Sequence, residues 1–208
     1  MNLIKSAYRM MHIDMIPYTL KCGFVNKMSN NACPTYIQIG DPTLINSRSE
    51  FTVPGTALSL DDFIPFYFGP RSPMLYVIQH GNQNVVKRKP SEIVYCVIMI
   101  DDVIRNNLSG YFTDGHARNA FTRFYPNSQL VNLSKIVSYD DVYSKDWGLT
   151  ADNTGETKRR KSAELLLEDE VPPQYIRYFV VYDEDAKRKL IGFGVKADII
   201  YVRPDFYY

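Results

Sequence analysis

Residues 156–170 (ETKRRKSAELLLEDE) place one acid just after a run of four cations. If the segment after the cations is a strand, Glu164 lies on the face opposite Leu165 and Leu167. That apolar face would pack into a core, so Glu164 would be held rigidly and directed towards a ligand. A basic loop beside a fixed carboxylate suits a polyanionic substrate, whereas a surface strand with a local ion pair is the alternative. The cations are Lys158, Arg159, Arg160 and Lys161.

Arg71 is a second candidate, because it lies between Pro70 and Pro73 in the segment IPFYFGPRSPMLY. Prolines fix φ and restrict the preceding residue, so the turn that carries Arg71 would be stiff. A guanidinium held in this way is suited to contact a phosphate, a carboxylate or the edge of a base. Phe66 or Phe68 could supply a stacking face for a planar ring. An ordinary turn with a solvated arginine is the alternative.

Near the start of the chain, cations and a histidine fall at an expected corner between a strand and a helix. The strand would end near Tyr8 and Arg9, and the helix would follow with Asp14 as its N-cap and Gly23 as its C-cap. His12 lies between the two elements. Such a corner can receive a phosphate through backbone N–H groups and cations. A surface ion pair at Arg9 is the alternative.

The segment FTDGHARNAF has a turn signal at Asp114-Gly115, and the expected start of a helix that carries His116 follows it. The ordinary pKa of histidine lies near neutral pH, so His116 could act as a general base or bind substrate. Histidines after turns are also common as caps or surface residues, and that alternative stays open.

Residues 24–58 have little periodicity and are rich in Asn, Pro, Ser and Thr. A loop of this length inside a compact domain is more often functional than idle. It could form a lid over a ligand, and Tyr36 or Arg48 could supply contacts.

The composition restricts the class of protein. A length of 208 residues favours one domain, and 16 Tyr with 11 Phe favour a β-rich globular protein. The formal net charge of +1 leaves no global field for nucleic acid, so any such binding needs a local patch. Cys22, Cys33 and Cys96 are widely spaced, which favours reduced thiols in a cytoplasmic protein and argues against a metal site. No apolar run reaches the roughly 18 residues that a membrane span needs.

Strand signals dominate the second half of the chain. The apolar run Ile93–Ile100 predicts a central strand, and the aromatic run Phe63–Phe68 predicts another. Further strands are expected at Tyr175–Tyr182, Leu190–Val195 and Ile199–Val202, with an early helix and one or two in the middle. This arrangement predicts an α+β fold.

Taken together, Arg71, His116 and Glu164 with their surrounding motifs resemble the DarT family of bacterial NAD-dependent DNA ADP-ribosyltransferase toxins. The motifs that carry the resemblance are YRMMHIDMIP, IPFYFGPRSPMLY, FTDGHA and KRRKSAELL with a later VP, in the family's order. The resemblance covers most of the chain. It implies a single ADP-ribosyltransferase domain over residues 1–208, with two facing β-sheets, a central NAD cleft and accessory helices.

The resemblance also implies roles for individual residues. Glu164 matches the catalytic glutamate, Arg71 an essential arginine, and His116 a histidine near the nucleic-acid face. The cationic run from Lys158 to Lys161 matches the segment that shapes the substrate groove. The residues expected to bind NAD are Tyr8, Arg9, His12, Arg48 and Phe68.

One departure from the family pattern concerns the acceptor base. Many members begin Tyr-His-Ile-Thr-His, whereas this chain reads Tyr8-Arg9-Met10-Met11-His12. With Arg9 in place of the histidine and Met11 in place of the threonine, this chain resembles the branch that modifies guanine more than the branch that modifies thymine.

The expected function is NAD-dependent ADP-ribosylation of guanine or thymine in single-stranded DNA, by a cytoplasmic toxin that a macrodomain-type antitoxin counteracts. Glu164 would stabilise positive charge on the ribose as nicotinamide leaves. Single-stranded DNA is expected because an unpaired base costs less to present. The alternatives are transfer to RNA or protein, and a non-catalytic module that binds single strands.

Overall fold

A mixed sheet organises the chain. The structure is a computed structural model, and it describes residues 3–27, 29–148 and 155–208. The strand order in the sheet is β5-β4-β6-β2-β1-β3-β7-β8, and neighbours are antiparallel except for the parallel pair β7 and β8. The strands are β1 Ser6–His12, β2 Phe63–Tyr67, β3 Ile93–Met99, β4 Gly110–Thr113, β5 Phe124–Pro126, β6 Glu164–Glu168, β7 Tyr178–Val181 and β8 Ile200–Val202.

Helices flank and connect these strands, which confirms the α+β class. The α-helices are α1 Ile16–Cys22, α2 Pro42–Asn46, α3 Pro73–His80, α4 Ile100–Arg105, α5 Leu133–Ile136, α6 Tyr139–Tyr143, α7 Glu156–Lys161 and α8 Glu184–Gly192. No helix in the described part of the chain is both long and apolar enough to cross a membrane.

The sheet has a seam between β1 and β2. β1 pairs with β3 along its whole length, and β2 pairs with β6 along its whole length. Between β1 and β2, in contrast, the register contains only the pair Tyr8 and Tyr67. Pro65 in β2 has no N–H to donate, and its carbonyl accepts a hydrogen bond from Arg9 Nη1 instead. The structure therefore has one sheet of two loosely joined halves, where two separate facing sheets were expected.

The pattern of apolar residues explains the central strands. All residues of β3 except Met99 are buried, as expected for a strand covered on both faces. In β6, Leu165 and Leu167 pack into the largest core cluster, whereas Leu166 packs into a separate one. This alternation confirms that Glu164 lies on the face opposite Leu165 and Leu167.

Some expected elements differ in the structure. Residues 190–195 were expected to form a strand, but α8 extends to Gly192, because Asp183 caps a run of helix-forming residues. Residues 116–121 form hydrogen-bonded turns, not a helix. The cationic run is not a loop and forms α7. At the first corner, the side chain that caps the turn is His12, which accepts from Asp14 N–H.

Candidate active site

A cleft of about 340 Å³ opens along the seam between β1 and β2. Arg9 and Met11 of β1 and Tyr67 of β2 line it, and Glu164 of β6 lines it from the next strand. Residues 24–48 close another side, with Tyr36 and Arg48 among the lining residues. The divergence of β1 and β2 therefore creates the cleft, and the long segment without periodicity forms one of its walls.

Glu164 is fixed at this cleft by both its backbone and its carboxylate. It is 2% exposed, and its backbone N–H donates to Thr113 Oγ1 at 3.0 Å. Oε1 accepts the backbone N–H of Ala117 at 3.0 Å, and Oε2 lies 3.3 Å from Arg48 Nη1. Each carboxylate oxygen can accept a second hydrogen bond, so the carboxylate can still receive a ligand hydroxyl.

Arg48 is positioned from the segment that follows α2. Its Nη2 donates to the carbonyl of Leu60 at 3.2 Å, and its Nη1 pairs with Glu164. One guanidinium thus connects this wall of the cleft to the Glu164 carboxylate. Arg48 was one of the residues expected to bind NAD, and the structure brings it to Glu164.

Two further arginines of the cleft each have a hydrogen-bond donor that no described residue accepts. Arg9 and Arg118 both line it, and the Nε atom of each is buried without a hydrogen-bond partner in the described residues. The Nε atoms of Arg71 and Arg88 are also unpartnered among these residues, but only Arg9 and Arg118 lie in the cleft, where a ligand could supply acceptors. A pyrophosphate is such a ligand, since a guanidinium matches its charge and geometry. The residues of the cleft therefore fit a dinucleotide such as NAD.

His116 also lines the cleft. Its Nδ1 accepts the backbone N–H of Arg118 at 3.3 Å, and its own backbone N–H donates to the carbonyl of Arg159 at 2.9 Å. With Nδ1 as an acceptor, a neutral His116 carries its proton on Nε2 and can donate from that atom.

Tyr67 is a cleft residue that the sequence reasoning missed. It pairs with Glu164 across β2 and β6 and lines the cleft beside it. Burial raises the pKa of the Tyr67 phenol above its ordinary value, and the Glu164 carboxylate raises it further. The phenol therefore stays protonated and can donate a hydrogen bond. The alternation of Phe66, Tyr67 and Phe68 along the strand was a signal that could have identified it.

Phe66 and Phe68 are not available to stack on a ligand, contrary to the prediction. Both are fully buried and belong to the largest core cluster. Phe66 packs edge-on against Phe24, and Phe68 packs edge-on against Phe112. In β2 these two side chains take the core face, which leaves Tyr67 for the cleft.

Tyr8 and His12 lie outside the cleft lining. Tyr8 is buried, and its hydroxyl hydrogen-bonds to the hydroxyl of Tyr143 at 2.9 Å. His12 is buried at the end of β1, where it lies 3.6 Å from Asp14 and 3.7 Å from Glu92. Of the three residues of β1 that were predicted to bind NAD, only Arg9 lines the cleft.

Arg71 does not line the cleft either. Its φ is 54°, and its Nη1 donates to the carbonyl of Tyr207 at 2.5 Å. The guanidinium carbon stacks 4.2 Å from the centre of the Tyr208 ring. Arg71 precedes α3, and Met74 and Ile78 of that helix line the cleft. The structure therefore places Arg71 behind the cleft wall.

The four cations of α7 divide into two pairs. Arg159 donates to Glu156 and to Asp114, and Lys161 is 1% exposed. Both are buried by the fold, so they cannot contact phosphates as expected. Lys158 and Arg160 are exposed on the outer side of the helix.

Lys161 instead ties three segments together. Its Nζ donates to the carbonyls of Pro70 and Val142, at 3.2 and 3.0 Å. Burial lowers the pKa of Lys161 to about 8, and the charge of Arg71 acts in the same direction. The segment before β6 is thereby anchored to the turn at Pro70 and to α6.

The described residues contain no group of three or more acidic, His or Cys side chains placed to hold a metal ion.

Comparisons with known proteins define the class. The chain superposes on the structure of Thermus sp. 2.9 DarT in complex with ADP-ribosylated single-stranded DNA, with a TM-score of 0.84 and 25% identity. The match covers 98% of this chain and 96% of that one. The fold is that of an ADP-ribosyltransferase.

The family follows from the sequence matches. A family model described as "ssDNA thymidine ADP-ribosyltransferase, DarT" matches residues 8–208, so the chain belongs to the DarT family. A DNA ADP-ribosyl transferase of Escherichia coli O127:H6 is 32% identical over 184 residues, which cover 88% of this chain and 83% of the relative. Membership confirms the prediction of an NAD-dependent DNA ADP-ribosyltransferase.

A further relative carries a second activity in its name. It is a DNA ADP-ribosyl transferase-DNA ADP-ribosyl glycohydrolase fusion protein of Thermosipho africanus, 27% identical over 191 residues. These residues cover 89% of this chain and 45% of the relative.

Proposed function

We propose that this protein, as one catalytic domain, transfers ADP-ribose from NAD to thymidine in single-stranded DNA. The observation that carries the proposal is the Glu164 carboxylate, held at the cleft by Ala117 N–H and Arg48. The family description and the DNA bound to the Thermus relative support the acceptor.

Charge development explains the role of Glu164. Nicotinamide leaves with the electron pair of its bond to the ribose C1′, so positive charge develops on the ribose. A carboxylate already fixed in place stabilises that charge without reorganising, and loss of such a group typically costs about 10²–10³ in rate. A nitrogen of the acceptor base then forms the new bond to C1′ and loses its proton, which Glu164 or water accepts.

The arginines of the cleft would bind the donor. Arg9 and Arg118 offer buried Nε–H groups to the pyrophosphate, and their charges are not neutralised by an ion pair in the described residues. Arg48 would hold the Glu164 carboxylate in place beside the ribose. Tyr67 can donate to the same region, since its phenol stays protonated.

His116 and Arg71 would act on the acceptor in different ways. The Nε2–H of His116 can donate to a carbonyl oxygen of the base and orient it. Arg71 lies behind α3, so we propose that it positions Met74 and Ile78 and does not contact the base.

The test is mass analysis of single-stranded oligonucleotides after reaction with NAD, with the base varied at each position. Modified thymidine supports the proposal, and absence of any modified DNA overturns it. Modification of guanine alone would show that guanine is the acceptor. The departure from the family pattern at Arg9 and Met11 favours guanine, and both residues line the cleft. RNA and protein acceptors in parallel reactions test the remaining alternatives.

A further part of the proposal is that the protein acts as a cytoplasmic toxin. Its partner would be a glycohydrolase of macrodomain type that removes ADP-ribose from DNA, and the Thermosipho fusion protein supports this pairing. Expression of the wild-type chain should arrest growth, whereas Glu164→Ala should not. Equal growth with both proteins would overturn the toxin role and leave the transfer chemistry standing.

A further inference from the structure

Phe121 is the most exposed large apolar side chain in the described residues, with 83% of its surface accessible. It lies in the loop of residues 114–123 between β4 and β5. A single exposed apolar side chain is common on protein surfaces, so a role for Phe121 has to come from its surroundings.

The loop that presents Phe121 is held in place by hydrogen bonds. Phe121 N–H donates to Asn119 Oδ1 at 2.9 Å, and Thr122 N–H donates to the carbonyl of Asn119 at 2.9 Å. Asp114 Oδ1 accepts Arg123 N–H at 3.0 Å and closes the base of the loop. The ring is therefore exposed on an ordered loop.

The same loop is joined to the active site. Ala117 N–H donates to Glu164 Oε1, and the loop segment starting at His116 is bonded to α7 through the carbonyl of Arg159. Four residues separate Ala117 from Phe121, so their backbones lie within about 14 Å. The exposed ring is thus close enough to meet a strand whose target base enters the cleft.

The charges of the loop complement a polyanion. Arg123 is exposed and forms no ion pair with the described residues, and Arg118 lines the cleft with a buried, unpartnered Nε. Asp114 is the acid of the loop, and Arg159 neutralises it at 2.9 Å. An exposed aromatic ring two positions from a cation without an ion pair is suited to binding single-stranded nucleic acid.

We propose that Phe121 stacks on a base next to the acceptor nucleotide, while Arg123 binds the adjoining phosphate. The inference rests on the proposed function, because it names a contact of the same acceptor strand. The loop would then have two roles. It fixes Glu164, and it binds the DNA strand that carries the target base.

The first experiment measures transfer to a short single-stranded oligonucleotide by wild-type protein, Phe121→Ala and Phe121→Trp. We expect Phe121→Ala to raise the KM for the oligonucleotide about tenfold, with a smaller change in kcat, whereas Phe121→Trp keeps the wild-type KM. Tyr201→Ala is the matched control, since Tyr201 is an exposed aromatic residue on β8 at the opposite edge of the sheet.

A second measurement replaces the neighbouring bases of the target one at a time by abasic sites. If Phe121 stacks on one of these bases, removal of that base from the DNA should raise the KM of wild-type protein. The same removal should leave the KM of Phe121→Ala unchanged. The salt dependence of oligonucleotide binding tests Arg123. Arg123→Gln should reduce the slope of log K against log salt by about 0.7, the value for one phosphate of a single strand.

The outcomes separate the inference from the proposed function. If wild-type protein modifies no DNA, the proposed function fails. If wild-type protein modifies DNA but Phe121→Ala has the same KM, the inference alone fails. It also fails if Phe121→Ala weakens NAD binding to the same extent, or if its main effect is loss of self-association, since the ring would then serve the cleft or a second copy of the chain.

Discussion

The guanidinium of Arg48 lies 3.3 Å from the carboxylate of Glu164, although 116 positions separate the two residues in the chain. Both side chains are largely buried, with exposures of 15% and 2%. The pair joins the aperiodic wall of the cleft to the central sheet. Formation of the proposed catalytic centre therefore depends on correct docking of the segment that carries Arg48.

Replacement of Glu164 by Gln should remove activity without unfolding the protein. The amide keeps the shape and can still accept from Ala117 N–H, but it carries no charge to stabilise the cationic ribose. We expect the rate of nicotinamide release to fall by about 10²–10³. Chromatographic measurement of nicotinamide, with circular dichroism as the check on folding, gives the result. A variant with more than a tenth of wild-type activity would contradict the assignment.

Replacement of Arg48 by Met should reduce both stability and activity. The substitution leaves the Glu164 carboxylate buried without its cation, which typically costs about 3 kcal/mol. Denaturation in urea measures the loss. Adding Glu164→Gln to the same chain should restore part of the stability, because no unpaired charge is then buried, while transfer stays absent. If the single variant is as stable as wild type, the pair has no energetic role.

Lys161 should make stability rise with pH in a defined range. The pKa of Lys161 is about 8 in the folded protein, and its ordinary value of 10.5 applies to the unfolded chain. Between pH 8 and pH 10.5 the unfolded chain therefore binds more protons than the folded protein. The free energy of unfolding of wild type relative to Lys161→Met should therefore increase above pH 8, by up to about 1.4 kcal/mol per pH unit.

Urea denaturation of both proteins at pH 7.5, 8.5 and 9.5 measures this difference. Lys158→Met is the control, since it removes an exposed cation from the same helix, and its difference from wild type should stay constant. A constant difference for Lys161→Met would show that its ammonium group has the same affinity for protons in the folded and unfolded chains.

Phe68 should matter for stability and not for NAD binding. It is fully buried against Phe112, so Phe68→Ala removes core packing and should cost about 3–5 kcal/mol. NAD affinity measured by calorimetry at a temperature where the variant is folded should match wild type. A tenfold loss of affinity with intact stability would restore the stacking role that its aromatic strand suggested.

The sequence determined the local features and the family. The apolar run Ile93–Ile100 contains the buried central strand Ile93–Met99, because eight consecutive apolar positions have few other ways to leave water. The alternation around Glu164 likewise set which face carries the acid. The motifs that resemble the DarT family identified the class of enzyme, and Glu164, Arg9, Arg48 and His116 do line one cleft.

Only the tertiary structure decided which neighbours of these residues reach the cleft. Arg71, Lys161 and Phe68 carry the chemistry that a binding site would use, but each is turned inward and contacts groups distant in the chain. Tyr67 and Phe121 gave weaker signals and lie where a ligand can meet them. The face that a side chain takes depends on long-range pairing such as that of β1 with β2, and local periodicity does not contain that information.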